Sequence, residues 1–272
     1  MSESFLSSVP LSRAIKALQF INLFSLTLCT ALLPLHGQQP LKIAAAADLA
    51  PVLPPILASF EQSTGIHVDA TYQASATLTS QIQNGAPFDL FLSADTSYPQ
   101  RLIDANLALG PAPTPYAHGT LVLWTRNNSL FPTPSLAVLS DPRLKHLAIA
   151  NPDRAPYGRA AVALLNHLKI YETLKSKFAT AENIAQAAQF VDSGNADAGL
   201  ISLTAALTPQ LTADGHYYLI PADLYPPIEQ SAAIIKSSQQ QQSAGKFLDY
   251  LLSAAVQARL QKSGLTPIHP VN

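Results

Sequence analysis

A serine stands at the start of a short predicted helix, in a position where hydrogen bonds alone could hold an anion. Ser75 lies in the small-residue run of residues 74–77, and Leu78 and Ile82 follow at helical spacing. The first N–H groups of a helix have no partner within it, so they and a serine hydroxyl can bind an anion without arginine or lysine. The alternative is that Ser75 merely caps its own helix.

A second candidate site lies at the end of the first predicted strand. The strand covers residues 41–47, ends in small alanines and is followed directly by Asp48. Small side chains would let a ligand approach the backbone of Ala47 and Asp48, although alanines also suit close packing of a helix on a strand. We expect the Asp48 carboxylate to cap the following helix, because an ionised carboxylate facing an anion would be repelled.

Predicted helices alternate with predicted strands along the chain. Three early strands are expected at residues 41–47, 68–72 and 88–94, each followed by a helical pattern. Such alternation is typical of α/β proteins, in which ligands bind at the carboxyl ends of parallel strands. Ala47, Asp48 and Ser75 all follow strand ends, so the sequence predicts that they meet at one crevice.

The composition is typical of a globular protein and not of one that binds nucleic acid. The chain has 272 residues, of which 48% are hydrophobic and 12% charged, so we expect a globular protein with a sizeable core. The formal net charge is −1, and no basic run is present that would bind nucleic acid. The seven histidines are scattered and show no metal-ligand spacing.

Residues 1–37 are typical of a secretory signal peptide. Arg13 and Lys16 precede a long apolar run that ends in a polar segment. We expect cleavage near Gly37, with a transmembrane anchor or a lipoprotein attached through Cys29 as alternatives. Cys29 is the only cysteine, so cleavage would leave a chain without disulfides, thiolate metal sites or cysteine nucleophiles.

The segment after the Ser75 helix carries a longer motif. Residues 84–95 read N-G-A-P-F-D-L-F-L-S-A-D. This segment resembles the periplasmic molybdate-binding proteins of ABC importers, whose sequences carry a serine-rich turn and then N-G-A-P-x-D-L-F-x-S-A-D. Every fixed position of that pattern is matched, and the resemblance covers residues 41–267.

The resemblance implies a fold and its division into lobes. It implies a two-lobed periplasmic binding protein fold, in which each lobe is a mostly parallel sheet flanked by helices and the ligand lies in the cleft between the lobes. We expect residues 38–117 and 232–272 to form lobe 1 and residues 118–231 to form lobe 2. The proline-rich residues 110–115 mark the approach to the first boundary.

The resemblance also implies the ligand contacts. Ser75 matches a serine whose hydroxyl binds the oxyanion, and Tyr157 and Ile201 match positions that bind it through backbone N–H groups. The family carries a serine in the segment that here reads Ala-Ala-Ala-Asp-Leu, so only backbone contacts are expected around Asp48. Gln230 matches a ligand-binding tyrosine, and its amide would donate instead. The predicted ligand-binding residues are therefore Ala47, Asp48, Ser75, Tyr157, Ile201 and Gln230.

The function that the resemblance implies is capture of molybdate, and of tungstate as well, for an ABC permease. A sulfate or phosphate receptor on the same fold is one alternative, since Asp48 could accept the proton that phosphate keeps at neutral pH. A hydrolase using Ser75 is another, but no G-x-S-x-G motif surrounds this serine and no histidine or carboxylate can be tied to it.

We therefore expect a periplasmic, monomeric receptor rather than an enzyme. Its ligand would be the molybdate oxyanion, its partner an ABC permease of the inner membrane, and it would have no cofactor and no nucleic-acid partner. The predicted residues would contact the oxygen atoms of molybdate, so none is expected to bond a metal directly.

Overall fold

The computed structural model describes residues 39–268, which contain two β-sheets flanked by helices. One sheet has six strands and the other has five. In chain order the strands are β1 (Leu41–Ala46), β2 (Val68–Gln73), β3 (Leu90–Ser93), β4 (Thr114–Gly119), β5 (Leu121–Arg126), β6 (Leu147–Ala150), β7 (Phe178–Ala181), β8 (Ala198–Ser202), β9 (Gly215–Leu219), β10 (Ile228–Ile234) and β11 (Thr266–Pro267).

Helices connect most of these strands. Short 3₁₀ segments add to them, and one of these, Ala47–Leu49, directly follows β1. In chain order the α-helices of the described residues are α1 (Leu53–Thr64), α2 (Ser75–Gln83), α3 (Ser97–Asp104), α4 (Pro156–His167), α5 (Tyr171–Leu174), α6 (Ile184–Asp192), α7 (Leu203–Ala206), α8 (Pro209–Asp214), α9 (Gln241–Leu252) and α10 (Ala254–Lys262).

Both sheets are mixed. The strand order is β11-β4-β10-β3-β1-β2 in the larger sheet and β7-β6-β8-β5-β9 in the smaller one. β1 runs parallel to β2 and β3, whereas β10 is antiparallel to β3 and β4, and β11 is antiparallel to β4. In the smaller sheet β6 is parallel to β7 and β8, and β5 is antiparallel to β8 and β9. The α/β class is confirmed, but the expectation of mostly parallel sheets is wrong.

The chain passes twice between the sheets. We call the six-stranded sheet with its helices the first lobe and the five-stranded sheet with its helices the second lobe. The chain enters the second lobe at Thr120, between β4 and β5, and returns after β9, before β10 begins at Ile228. The predicted lobe boundaries, after residues 117 and 231, fall inside β4 and β10, and both strands lie entirely in the first sheet.

The start of α1 shows how proline sets a helix boundary. Pro54 and Pro55 follow Leu53 in the first turn, where a missing N–H removes no hydrogen bond within the helix. The helix therefore begins well after Asp48. It ends at Gly65, whose φ of 72° is in the left-handed region that glycine adopts without strain.

Each sheet buries its own aromatic residues. In the first lobe, Phe60 of α1 packs edge-on against Phe247 of α9, with ring centroids 5.1 Å apart. In the second lobe, Trp124 of β5 is fully buried, and its indole N–H donates a hydrogen bond of 3.2 Å to the carbonyl of Leu211. The first contact joins two helices of the first lobe, and the second joins α8 to β5 in the second lobe.

Two sequence predictions concern the membrane and the N-terminus. Within residues 39–268, no helix has both the length and the apolar character that crossing a membrane requires. The predicted signal peptide, its cleavage near Gly37 and the alternative use of Cys29 all lie outside the described residues.

Candidate functional site

The carboxyl ends of three neighbouring strands meet at one edge of the first sheet. β1 lies between β2 and β3, and its last residue, Ala46, pairs with Gln73 at the end of β2. The loops that follow the three strands therefore bring Ala47, Ser75 and Ala94 to the same edge. The shared sheet edge agrees with the sequence prediction that Ala47 and Ser75 follow neighbouring strand ends.

Ser75 is the first residue of α2 and is buried. Its Oγ accepts a hydrogen bond of 3.1 Å from the backbone N–H of Ala94. The N-cap residue of α2 is Ala74, and no side chain in the described part of the chain caps this helix, so the alternative that Ser75 caps its own helix is wrong. Because the oxygen is the acceptor in this bond, the hydroxyl can still donate its hydrogen to a ligand.

Asp48 lies in the 3₁₀ segment after β1 and is only 1% exposed. Its Oδ2 accepts a hydrogen bond of 3.1 Å from the hydroxyl of Tyr157 and a second from the side-chain amide of Gln230. No side chain that the structure describes caps the 3₁₀ segment or α1. The expectation that this carboxylate caps the following helix is therefore wrong, because donors from α4 and β10 bind it instead.

The polar atoms around Asp48 are incompletely paired. Within residues 39–268, Oδ1 of Asp48 and Oε1 of Gln230 are buried without a hydrogen-bond partner. Burial raises the pKa of Asp48 from 3.8 to about 6, and the hydrogen bonds from Gln230 and Tyr157 partly oppose this rise. Two buried acceptors without a donor are costly, so this cluster favours a ligand or a proton that can donate to them.

Tyr157 provides a hydroxyl that stays protonated. It is the second residue of α4 and is 1% exposed. Burial, and then the charge of Asp48, raise its pKa well above the usual value. Its hydroxyl packs against Gly119 at the end of β4, where a Cβ atom would lie 2.3 Å from the Tyr157 oxygen. Glycine at position 119 thus leaves room for the tyrosine, a role that sequence reasoning missed.

A threonine of the second lobe also binds Asp48. The Thr204 hydroxyl donates a hydrogen bond of 2.8 Å to the backbone carbonyl of Asp48. Its oxygen lies 2.9 Å from the Ser202 hydroxyl, at the end of β8. Ile201, the neighbouring residue, is fully buried in the same strand. Sequence reasoning missed Thr204, although a hydroxyl just after a predicted strand was an available signal.

Two further predicted residues, Ala47 and Ile201, lie in the apolar core. Ala47 and Ala74 of the first lobe belong to the same hydrophobic cluster as Tyr157 and Ile201 of the second lobe. Ser75 is next to Ala74 in the chain and therefore lies beside this cluster. Of the predicted ligand-binding residues, the structure joins Asp48, Tyr157 and Gln230 by direct hydrogen bonds.

Two nearby arginines are committed to other partners. Arg154 forms an ion pair with Glu182 within the second lobe. Arg159 of α4 forms an ion pair with Asp95 and donates a hydrogen bond of 2.9 Å to the hydroxyl of Tyr98. These ion pairs neutralise the two guanidinium groups. The hydrogen-bond donors of the predicted site residues are themselves neutral.

A cavity of about 460 Å³ lies beside the predicted site. None of the predicted residues lines it, but their chain neighbours Pro156 and Glu229 do. Its wall also contains Arg159 with its partner Asp95. Two carboxylates against one paired guanidinium make this cavity unfavourable for an anion. Within residues 39–268, no group of three or more histidine, cysteine, aspartate or glutamate side chains is placed to hold a metal ion.

The chain matches a known family over nearly all of the described residues. The sequence model described as "Bacterial extracellular solute-binding protein" matches residues 41–266. The molybdate-binding protein ModA of Azotobacter vinelandii is 38% identical over 210 residues, which is 77% of this chain and 83% of that protein. The ModA protein of Rhodobacter capsulatus is 34% identical over 221 residues, 81% of this chain and 86% of that protein.

A solved structure agrees with these relatives. The periplasmic molybdate-binding protein of Azotobacter vinelandii superposes with a TM-score of 0.79 at 31% identity, covering 85% of this chain and 99% of that one. This likeness confirms the two-lobed periplasmic binding protein fold. The family match and the identities together show that the chain belongs to the bacterial extracellular solute-binding proteins.

Proposed function

We propose that this protein is a periplasmic receptor that binds molybdate, and tungstate as well, and delivers it to an ABC permease of the inner membrane. Two relatives at 38% and 34% identity are named molybdate-binding proteins. The observation that carries the proposal is a set of neutral polar groups buried where the lobes meet. The Ser75 hydroxyl accepts from the N–H of Ala94 and can still donate its hydrogen, while the side chains of Tyr157 and Gln230 donate to Asp48.

Neutral donors suit a receptor that must release its ligand. Hydrogen bonds to an anion are strong because the acceptor is charged, so affinity does not require a lysine or arginine. Arg154 and Arg159 are already paired with carboxylates. When the lobes separate, donors on opposite lobes move apart and the anion loses its contacts together.

The proposed contacts come from both lobes. Ser75 and Gln230 would donate from their side chains, and Ala47 and Asp48 from their backbone N–H groups in the 3₁₀ segment after β1. From the second lobe, Tyr157 would donate its N–H in the first turn of α4, where helix N–H groups lack partners within the helix. Ile201 would complete the set through its backbone N–H at the end of β8.

The burial of the site implies that the lobes open. Each predicted residue is 4% exposed or less, including Ala47, Ser75 and Tyr157. A ligand can therefore enter only if the lobes separate, as hinged binding proteins do. We propose that the protein acts as a monomer, with the two crossings near Thr120 and before Ile228 as the hinge.

The alternatives are weaker. The relatives named for molybdate favour this ligand over sulfate or phosphate. Membership of a solute-binding family places the chain among binding proteins and not enzymes, which removes the reason to treat Ser75 as a nucleophile. The anion is the transported ligand in this account, and the protein needs no cofactor.

Thermal unfolding with equal concentrations of molybdate, tungstate, sulfate and phosphate tests the proposal. A ligand at about 100 times its dissociation constant stabilises the folded state by about 2.7 kcal/mol. We expect molybdate and tungstate to raise the melting temperature and sulfate and phosphate to leave it unchanged. A rise in melting temperature with sulfate or phosphate alone would overturn the assignment of molybdate as the ligand. The absence of a rise with any of the four anions would overturn the receptor function.

A further inference from the structure

The two most buried aspartates of the described chain differ in how their oxygens are paired. Asp89 accepts a hydrogen bond at each oxygen, from the N–H of Lys42 over 2.8 Å and from the hydroxyl of Ser238 over 2.6 Å. In Asp48, Oδ2 accepts from Tyr157 and Gln230, but Oδ1 has no partner within residues 39–268. Both oxygens of Asp89 therefore have a donor, whereas one oxygen of Asp48 has none among the residues that the structure describes.

Among residues 39–268, the side chains that face Asp48 supply no positive charge. Burial, and then the charge of Asp48, raise the pKa of two tyrosines, Tyr157 on α4 and Tyr116 on β4. Both hydroxyl groups are therefore neutral at ordinary pH. Arg159 is the cation of α4, and it is paired with Asp95. On β10, Glu229 adds a negative charge. A negative charge on Asp48 is therefore stabilised only by neutral donors.

The other elements around Asp48 do not change this balance. α6, α7 and β2 pack on the 3₁₀ segment that contains Asp48. Their titratable groups are acidic or phenolic, namely Asp192 on α6 and Asp69 and Tyr72 on β2. A dianion bound beside the segment would repel an ionised Asp48, since like charges in a desolvated site interact strongly.

We propose that Asp48 holds the bound oxyanion as a neutral carboxylic acid, donating the hydrogen of Oδ1 to an oxygen of the ligand, so that each dianion bound takes up one proton from solution. This inference rests on the proposed function and adds to it the residue that couples anion binding to a proton. It assigns to the Asp48 side chain the donor role that a hydroxyl would otherwise fill. The unpartnered Oδ1 becomes a donor, and no arginine or lysine is required.

The energetics agree with this assignment. Burial raises the pKa of Asp48 to about 6 in the described structure, so the acid form is accessible near neutral pH. A dianion favours that form further, and by linkage the proton must favour the dianion equally. At pH values above the pKa of Asp48 in the ligand-free protein, binding takes up one proton. The affinity for the dianion then rises tenfold for each unit by which the pH falls.

Calorimetric titration with molybdate at pH 7 and pH 8, in pairs of buffers that differ in ionisation enthalpy, tests the proposal. For the unaltered protein we expect the observed enthalpy to show uptake of about one proton per molybdate, and the dissociation constant to rise about tenfold from pH 7 to pH 8. Asp48→Asn should bind molybdate without proton uptake and with the same affinity at both pH values. Asp69→Asn, at an exposed position of β2, should behave like the unaltered protein.

The outcomes separate this inference from the proposed function. Molybdate binding without proton uptake in the unaltered protein would overturn the role of Asp48 and leave the receptor function standing. Proton uptake that persists in folded Asp48→Asn would overturn the assignment to this residue. Failure of the unaltered protein to bind molybdate in any of the buffers would overturn both.

Discussion

The hydroxyl of Tyr157, in the second lobe, donates a hydrogen bond of 3.1 Å to the carboxylate of Asp48, in the first lobe. The two residues are 109 positions apart in the chain, and both are buried. Gln230 donates to the same carboxylate oxygen from β10. A single carboxyl group of the first lobe is therefore bonded directly to the second lobe.

Replacement of Asp48 by asparagine should change how stability depends on pH. The pKa of Asp48 is about 6 in the folded protein, against 3.8 for an exposed aspartate. Its contribution to stability is therefore full below about pH 4 and is lost as the pH rises through 6. The unaltered protein should lose about 2.4 kcal/mol relative to Asp48→Asn between pH 4 and pH 7.

Urea unfolding of both proteins at intervals from pH 4 to pH 8, without ligand, measures this difference. Comparing the two proteins cancels the titration of all groups that they share. A difference in unfolding free energy that stays constant over this range would show that the pKa of Asp48 is not raised.

Replacement of Ser75 by alanine should weaken molybdate binding. The change removes a hydroxyl donor and leaves the N–H of Ala94 without its acceptor. A hydrogen bond to a charged group contributes about 1.5–3 kcal/mol, so the dissociation constant should rise roughly 10- to 150-fold. Ser80→Ala, an exposed position in the same helix α2, is the matched control and should bind normally. Equal affinity of the two variants in calorimetric titration would remove Ser75 from the site.

Replacement of Gly119 by alanine should disturb the Asp48 cluster from a position outside it. The added Cβ would lie 2.3 Å from the hydroxyl oxygen of Tyr157 and 3.1 Å from the amide nitrogen of Gln230. Both groups that bond Asp48 would have to move, so we expect weaker molybdate binding and a loss of about 1–3 kcal/mol in unfolding free energy.

Gly245→Ala provides the control for this substitution. Gly245 lies within α9, and no atom lies within 4 Å of an added Cβ. Alanine there should leave binding unchanged and stabilise the protein by about 0.5–1 kcal/mol. Urea unfolding and calorimetric titration report both effects. Gly119→Ala with unaltered binding would mean that Tyr157 and Gln230 do not position the ligand.

Replacement of Tyr157 by phenylalanine separates its two proposed roles. The backbone N–H stays, while the hydrogen bond to Asp48 is lost. Because that bond lowers the pKa of Asp48, we expect the pKa to rise further, so that proton uptake on binding decreases at pH 7. Calorimetric titration at pH 7 in two buffers measures this change, with Tyr171→Phe, on α5, as the control. Unchanged proton uptake in Tyr157→Phe would contradict the coupling of these side chains.

The contacts that sequence reasoning predicted were those carried by local pattern. The end of β1, the start of α2 and the motif after it placed Ala47 and Ser75 at one sheet edge. The prediction that the Asp48 carboxylate caps a helix was wrong because its actual partners, Tyr157 and Gln230, come from distant parts of the chain. A capping residue and a buried acceptor have the same local sequence, and only the packed lobes distinguish them.

The prediction of mostly parallel sheets was wrong for a related reason. Alternation of helices and strands correctly predicted the parallel neighbours of β1. The antiparallel neighbours β4 and β10 are brought together from residues more than a hundred positions apart, by the two crossings between lobes. The predicted boundaries therefore fell within these two strands, since no change of composition marks the point at which a strand leaves its sheet.

A crystal structure of the protein with molybdate, with the molybdenum located by its anomalous scattering, tests the central claim most directly. The account predicts a peak where the lobes meet, with oxygens within hydrogen-bond distance of the Ser75 hydroxyl, Oδ1 of Asp48 and the N–H groups of Tyr157 and Ile201. A peak in the cavity beside Arg159, or elsewhere on the surface, would contradict it.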